Sequence, residues 1–206
     1  MTPKKIKQGL DEIAARDKDV ADALKRVGYP MPRKRPPGFG TLIDIIVGQQ
    51  VSAAAAMAIR GRLELVVVPM TPKNFLKTDE GSLRTAGLSG RKVEYGRGLA
   101  KAMRVGALDT GRLAKQSDEE VIAALTAIRG LGRWSAEIYM MFALKRADVW
   151  PAEDLAIAEA LKRLKKLDER PKRKISEPLI EHWRPWRSVA ALFLWHYYKS
   201  VHKEKM

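Results

Sequence analysis

A short glycine-containing turn, Gly130-Leu131-Gly132, separates two segments whose apolar residues recur with helical spacing. Glycine tolerates positive φ and lets another backbone approach closely, so the turn predicts two helices that meet at a tight hairpin. Downstream, Pro151 precedes Asp154, which stands at the predicted start of the next helix. The rest of the chain shows the same helical periodicity, and no segment alternates convincingly as a strand. The sequence therefore predicts an all-α fold.

Glycine, proline and capping residues divide the chain into successive helices. Residues 4–27 predict one amphipathic helix or two short ones. Ser117 opens a capping box, and Thr71 can cap the short helix that follows it. The other predicted helices cover residues 41–67, 79–86, 89–103, 118–128, 133–144, 154–166 and 185–201. Connectors are expected at residues 28–40 and 168–174.

The chain of 206 residues is strongly basic, with a formal net charge of +15 and a pI near 10.1. Such a charge favours a polyanionic partner, because each Lys or Arg set against a phosphate releases condensed counterions. A solubilising basic surface is the alternative interpretation. The apolar fraction of 46% is ample for a globular core, and the length fits one domain or two small lobes.

Composition also excludes several classes of protein. The chain contains no cysteine, which excludes disulfides, zinc–thiolate sites and cysteine-ligated iron–sulfur clusters. The motifs of a nucleotide-binding P-loop or Rossmann unit are absent, and we therefore expect no organic cofactor. The N-terminal residues lack an apolar signal core, and no run approaches the length of a membrane span. The sequence predicts an intracellular protein that does not bind a membrane.

The start of the helix after the glycine turn is a candidate phosphate-binding site. Gly132, Arg133 and Trp134 open this helix, and its free backbone N–H groups attract a phosphate. Arg133 adds a formal positive charge at the same place. Contacts of this kind position a protein on DNA without reading its sequence. An ordinary turn between two helices is the alternative.

Four segments resemble motifs of the helix-hairpin-helix (HhH-GPD) superfamily of base-excision DNA glycosylases. Residues 128–136, Ile-Arg-Gly-Leu-Gly-Arg-Trp-Ser-Ala, resemble its hairpin, and residues 151–155, Pro-Ala-Glu-Asp-Leu, resemble the loop that ends in its catalytic aspartate. Residues 46–52 resemble the GQQ/GQL-type segment of the 3-methyladenine DNA glycosylase II branch, and residues 183–188 resemble that branch's C-terminal WxPWR helix. The four matches stand in the expected order and cover most of the chain.

The resemblance implies that Asp154 is the catalytic residue. Cleavage of an N-glycosidic bond develops oxocarbenium character on the sugar, and a nearby carboxylate stabilises that charge and orients the attacking water. A position near a helix N-terminus favours the ionised carboxylate. The alternatives are that Asp154 is a simple N-cap, or that the neighbouring Glu153 is the catalytic carboxylate.

The resemblance also implies a base pocket formed by Trp134, Trp195 and Ile138. Aromatic faces bind cationic rings, and N-alkylated purines carry positive charge. Superfamily members with a lyase step carry a lysine at the position of Trp134, so this chain offers no amine there for a Schiff base. Core packing is the alternative role for Trp195. Ile138 stands where some relatives have an aromatic residue, which changes the stacking strength expected of the pocket.

Two further elements are expected to contact DNA. Gln50 matches the position from which the branch inserts a plug into the duplex; bonding to the orphaned base or capping a helix turn are alternatives. The expected DNA-contacting residues of the hairpin are Gly130, Gly132, Arg133 and Ser135. Hairpins of this kind also resemble sites for a monovalent cation, Na⁺ or K⁺, whose carbonyl ligands by position are Thr126, Ile128 and Gly130.

Taken with the resemblance, the sequence predicts an all-α fold of two helical lobes. A DNA-binding cleft is expected between them, with the hairpin and Asp154 at the seam. Residues 38–132 form the predicted central lobe, and residues 1–37 plus 133–206 form the second lobe, which carries the catalytic aspartate.

The implied activity is that of a monofunctional glycosylase, without lyase activity, which removes alkylated purines such as 3-methyladenine, 7-methylguanine and ethenoadenine in base excision repair. A glycosylase for a neutral lesion such as hypoxanthine or uracil, and a noncatalytic helix-hairpin-helix module, are the alternatives. The expected partner is double-stranded DNA containing a damaged base. It would be bound by a monomer in a bacterial nucleoid or a eukaryotic nucleus.

Overall fold

The structure is a computed structural model that describes the backbone of residues 1–203 and the side chains of residues 1–201. Every element of regular secondary structure in residues 1–203 is helical, which confirms the predicted all-α class. Within the same range, no helix has both the length and the apolar character needed to cross a bilayer.

The regular secondary structure of residues 1–203 consists of twelve α-helices and two short 3₁₀ helices. The α-helices are α1 (Pro3–Ala14), α2 (Lys18–Val27), α3 (Phe39–Gly48), α4 (Ala53–Val66), α5 (Pro72–Lys77), α6 (Glu80–Thr85), α7 (Gly90–Arg104), α8 (Asp118–Thr126), α9 (Arg133–Phe142), α10 (Leu155–Leu164), α11 (Arg173–Leu179) and α12 (Arg187–Lys203). The 3₁₀ helices are Leu113–Lys115 and Glu181–Trp183.

The chain divides into two compact units, one of which is discontinuous in sequence. The central unit is Arg35–Leu144, and the terminal unit combines residues 1–34 with the chain from residue 145 onward. This division differs from the predicted lobes, 38–132 and 1–37 plus 133–206, mainly because α9 belongs to the central unit. Residues 135–142 of that helix are all buried, and α9 packs against α3 and α8. The predicted cleft concerns the placement of the units relative to one another and stays a prediction.

Helix α3 is the centre of the central unit. It packs against α4, α7 and α9, and six of its apolar side chains are buried: Phe39, Leu42, Ile43, Ile45, Ile46 and Val47. Phe39 meets Phe75 of α5 edge to face, with ring centroids 5.6 Å apart. A Cβ at Gly96 of α7 would lie 2.6 Å from Cζ of Phe75, so only glycine allows this close approach.

Three predicted helices or connectors differ in extent from the structure. The single helix predicted over residues 41–67 is two helices, because Ser52 caps α4 by accepting a hydrogen bond from Ala55 N at 3.1 Å. The linker predicted over residues 168–174 gives way to α11, which begins at Arg173. The last helix was predicted from residue 185 but begins at Arg187. In contrast, the capping box at Ser117 and the cap at Thr71 are confirmed.

A buried carboxylate, Asp17, holds together several elements of the terminal unit. It caps α2, and its oxygens accept hydrogen bonds from Lys165 Nζ at 2.6 and 2.7 Å and from Trp183 Nε1 at 2.7 Å. His182 Nε2 lies 2.9 Å from the same carboxylate. Burial raises the pKa of this group, but hydrogen bonds from Lys165, Trp183 and His182 outweigh burial and lower it from 3.8 to about 2.

We expect Asp17→Asn to lower the free energy of unfolding at neutral pH by about 3 kcal/mol, because it removes the buried one of the two carboxylates that pair with the largely buried Lys165 ammonium. The pKa of Asp17 is lower in the folded chain than in the unfolded chain. Its stabilising contribution is therefore present above the unfolded value of 3.8 and is lost as pH falls through about 2.

Urea unfolding over a pH series measures this difference between the wild type and Asp17→Asn, which should shrink between about pH 4 and pH 2. The matched control is Asp19→Asn, since the exposed Asp19 also contacts Lys165, at 2.8 Å. Its effect should stay below about 1 kcal/mol. A difference for Asp17→Asn that does not change with pH would contradict this account.

Candidate functional site

Asp154 is the N-cap of α10. Its Oδ1 accepts hydrogen bonds from the backbone N–H groups of Ala156 and Ile157, each at 3.0 Å. The carboxylate is half-buried and lies at the positive end of the helix dipole, where a negative charge is stabilised. The cap that the sequence analysis offered as an alternative to a catalytic role is therefore present. Capping a helix does not exclude a catalytic role for the same carboxylate.

Trp195 of α12 fixes the same carboxylate oxygen. Its indole Nε1–H donates to Asp154 Oδ1 at 3.0 Å, and its ring is half-buried, whereas the preceding Phe193 and Leu194 are fully buried. The guanidinium carbon of Arg33 lies 5.6 Å from the centroid of the Trp195 ring, a cation–π arrangement. Trp195 was predicted to line a base pocket, and neither of these contacts has a signal in the sequence.

The C-terminal motif at residues 183–188 anchors the loop that leads to Asp154. Arg187 makes a two-pronged ion pair with Asp148, through Nε at 2.8 Å and Nη2 at 2.9 Å. The buried Ser188 donates its N–H to Ala147 O at 2.9 Å, and its Oγ accepts from Val149 N at 2.9 Å. The motif was recognised from sequence, but its physical task, holding residues 147–149, is visible only in the structure.

The neighbouring carboxylate, Glu153, is turned toward a different partner. It is exposed, and its oxygens accept from Arg173 Nε at 2.8 Å and Nη2 at 2.5 Å. Arg173 also donates to Glu177 Oε1 at 2.8 Å. Glu153 is therefore engaged by a guanidinium on its own side of the loop.

The hairpin between α8 and α9 has the tight turn that its glycines predict. Gly130 adopts φ +93°, and a Cβ at this position would overlap the ring of Tyr95 from α7. Gly132 is the exposed N-cap of α9 and has no side chain to occupy the N–H groups of the first turn. Arg133 is exposed beside this helix start, and its Nε donates to Glu137 Oε1 at 3.1 Å. The turn thus offers an anion-binding helix start next to a positive charge.

The two adjacent glutamines before α4 have different environments. Gln49 Nε2 donates to Gly130 O at 2.8 Å and to Ser135 Oγ at 3.2 Å. Gln50 is exposed and adopts φ +55°. Ser135 was predicted to contact DNA, but the whole residue is buried, 2% exposed, and its hydroxyl accepts from Gln49.

Lys92 of α7 supports the same segment and was missed by the sequence analysis. Its ammonium donates to Val47 O and to Gln49 O, each at 2.8 Å, and burial lowers the pKa of this lysine. A basic residue within a basic helix carries no sequence signal that separates such a role from solvation.

Trp134 and Ile138 lie one turn apart on the same face of α9. Trp134 is half-buried, and Ile138 is buried with 8% exposed. Two of the three carbonyls that were predicted to bind a cation accept hydrogen bonds within the protein. Ile128 O accepts from Leu131 N at 3.0 Å, and Gly130 O accepts from Gln49 at 2.8 Å.

Comparisons with known proteins identify the family of the chain. The family described as "HhH-GPD superfamily base excision DNA repair protein" matches residues 43–185. The chain is 34% identical over 175 residues to DNA-3-methyladenine glycosylase 1 of Schizosaccharomyces pombe, covering 82% of the chain and 75% of that protein. It is 27% identical over 204 residues to DNA-3-methyladenine glycosylase 2 of Escherichia coli, covering 91% and 68%.

Among solved structures, the chain is similar to the 3-methyladenine DNA glycosylase of Schizosaccharomyces pombe in complex with abasic DNA. The TM-score is 0.85 at 30% identity, and the match covers 91% of this chain and 95% of that one. These findings confirm both the superfamily and the branch that the four motifs indicate.

We expect Gly130→Ala to lower the free energy of unfolding by about 2–4 kcal/mol, because the new Cβ is strained at positive φ and overlaps Tyr95. The matched control is Gly132→Ala in the same turn, where φ is −94° and no atom lies within 4 Å of the added Cβ. Its cost should stay below about 1 kcal/mol. Urea unfolding of both variants checks the difference, and equal losses would show that the turn does not depend on Gly130.

Proposed function

The chain belongs to the HhH-GPD superfamily of base excision DNA repair proteins, and on that premise we propose that it is a monofunctional DNA glycosylase for alkylated purines. It would hydrolyse the N-glycosidic bond of 3-methyladenine, 7-methylguanine or ethenoadenine in double-stranded DNA. The observation that carries the proposal is the Asp154 carboxylate, held at the start of α10 by two backbone N–H groups and by Trp195. The names of the relatives support the same class of substrate.

Asp154 would act on the sugar of the extruded nucleotide. As the bond to the base breaks, positive charge develops on the deoxyribose, and a carboxylate at this point stabilises that charge and orients the attacking water. Three N–H donors to Oδ1 fix the group before the substrate arrives. Because it is already oriented, little reorganisation is needed in the transition state.

We propose that Trp134, Ile138 and Trp195 contact the extruded base. N-alkylated purines are cationic, which makes them good leaving groups and ligands for an aromatic face. The Arg33 guanidinium, which lies over the Trp195 ring, supports this role. It is a planar cation, and its position shows that the face of this ring accepts one. Trp134 supplies no amine, so the reaction would end at an intact abasic site.

The DNA backbone would bind at the hairpin. Gly130 and Gly132 form the turn, and the backbone N–H groups at the start of α9, including that of Ser135, face a phosphate with Arg133 alongside. The exposed Gln50 would fill the gap left by the extruded nucleotide.

We further propose that the protein acts as a monomer inside the cell, in the nucleoid or the nucleus. Analytical ultracentrifugation, which measures the mass in solution, tests whether it is a monomer.

A monovalent cation, Na⁺ or K⁺, would complete the hairpin. The carbonyl of Thr126 lies in the last residue of α8, and those of Ile128 and Gly130 follow it; backbone oxygens at a helix C-terminus carry partial negative charge. Ile128 O and Gly130 O each accept one hydrogen bond, which leaves each oxygen a second lone pair. These oxygens can therefore also act as ligands of a cation. Such an ion would add positive charge for the phosphate.

Replacing K⁺ or Na⁺ with tetramethylammonium at constant ionic strength should weaken binding of abasic-site DNA, because the larger ion cannot be coordinated by three carbonyls. Fluorescence anisotropy measures the affinity, and Gly130→Ala should lose most of the ion dependence. Identical affinities in the K⁺, Na⁺ and tetramethylammonium salts would contradict a cation site at the hairpin.

The activity itself is tested on duplex DNA with a single ethenoadenine or 7-methylguanine. The readouts are the released base, by chromatography, and strand breaks with and without alkali. Asp154→Asn should lower base release at least about 100-fold, since it removes the charge that faces the transition state. Trp195→Phe, which keeps a ring but loses the N–H to Asp154, should lose about tenfold.

The matched control for this experiment is Glu153→Gln, which removes the adjacent carboxylate and should retain wild-type base release. Breaks by wild type should appear only after alkali; breaks without alkali would contradict a monofunctional enzyme. Equal release by Asp154→Asn and wild type would exclude Asp154 as the catalytic group. Tight DNA binding without release by the wild type would favour a neutral lesion, such as hypoxanthine or uracil, or a noncatalytic module.

A further inference from the structure

One face of α7 contacts both DNA-binding elements of the central unit. Lys92 bonds the segment at the end of α3, and Tyr95, almost one turn later, lies against Gly130 of the hairpin. Between them, Glu94 forms an ion pair with Arg129 at the hairpin turn. The helix therefore bridges two elements that are far apart in sequence, the hairpin and residues 49–52, which we call the Gln50 loop.

Lys92 acts where α3 ends. The last carbonyls of a helix lack intrahelical partners and carry partial negative charge, and the ammonium donates to two such oxygens, Val47 O and Gln49 O. These two bonds hold the backbone on the N-terminal side of Gln50. On the other side, Ser52 starts α4 as its cap.

A second connection runs from the loop directly to the hairpin. The side chain of Gln49 donates to Gly130 O at 2.8 Å and to Ser135 Oγ at 3.2 Å. The backbone of Gln49 is thus held by Lys92, while its side chain reaches the turn and the first helical turn of α9. The loop and the hairpin share one hydrogen-bonded connection.

The residue between these supports is in an unfavourable conformation. Gln50 adopts φ +55°, a region that residues with a Cβ rarely enter, and its side chain is exposed. Such a conformation persists only where the surrounding structure determines it. The bonds to Val47, Gln49 and the cap at Ser52 are the determinants that the structure provides.

We propose that Lys92 is a positioning residue for nucleotide extrusion, which acts by holding the Gln50 loop in register with the hairpin. One docking event then places the phosphate at the start of α9 and Gln50 at the gap in the duplex. This inference rests on the proposed function, because it takes Gln50 as the residue that fills the gap. A direct phosphate contact by Lys92 would be a different role and gives a different result below.

The test is a double-mutant cycle of Lys92→Met and Gln50→Ala, read on duplex DNA that contains a tetrahydrofuran abasic analogue. Anisotropy measures the affinity, and 2-aminopurine opposite the analogue reports insertion. Each single variant should bind about tenfold more weakly, since each removes the same positioned contact. The double variant should bind no more weakly than either single one, because sites that act through each other are not additive.

Three matched variants complete the experiment. Lys101→Met removes an exposed lysine from the same helix and should leave the 2-aminopurine signal unchanged. Lys92→Arg, which keeps a charged donor, should recover part of the affinity. Gln49→Ala breaks the connection to the hairpin without touching Lys92, and it should reproduce the coupling if Lys92→Met does not fold.

The salt dependence separates positioning from phosphate contact. For a positioning residue, the slope of log affinity against log salt should be the same in Lys92→Met and wild type; a phosphate contact would reduce it by about one. Additive losses, a reduced slope or no effect of Gln50→Ala would each overturn the inference. The abasic analogue has no base to release, so this result is independent of the glycosylase assay. A wild type that binds the analogue but releases no base would refute the proposed function alone.

Discussion

Each helix leaves the N–H groups of its first turn without an intrahelical partner, and a chain built from many short helices must satisfy that demand repeatedly. Most helices here do so with a side chain at the N-cap: Thr2, Asp17, Ser52, Thr71, Asp79, Ser89, Ser117 and Asp154. In the candidate site, the unpaired N–H groups of two helix starts are treated differently. At α10 the cap is the carboxylate that we propose for catalysis, and at α9 the cap is a glycine, which leaves the first N–H groups without a side-chain partner for the proposed phosphate contact.

Local signals explain what could be predicted from the sequence. The hairpin glycines, the Ser117 capping box and Asp154 after Pro151 each depend on residues within a few positions, and the structure has them where they were expected. The break between α3 and α4 was missed, although Gly48 and the capping Ser52 stand there in the sequence. The bonds from Lys92 to Val47 O and Gln49 O come from a distant residue and leave no trace in the local pattern.

Contacts between residues that are distant in sequence also limit how far the site could be predicted. Trp195 was selected as an aromatic residue of a known motif, but its bond to Asp154 depends on how α12 packs against α10. Ser135 was expected on the DNA-facing side of the hairpin, yet its hydroxyl points inward to Gln49. Helix α11 is short and contains Pro178, so its periodicity is too brief to recognise; the bond from Trp150 Nε1 to Ser176 Oγ, at 3.1 Å, helps to hold it.

The support of Gln50 lies entirely in other residues. Its main chain is fixed by bonds to neighbours and by the start of α4, while its own side chain is exposed. The chemical identity of position 50 is thereby separated from its placement. Under the proposed function, a change of side chain there alters what meets the duplex while the frame that holds it stays constant, within the set of residues that tolerate φ +55°.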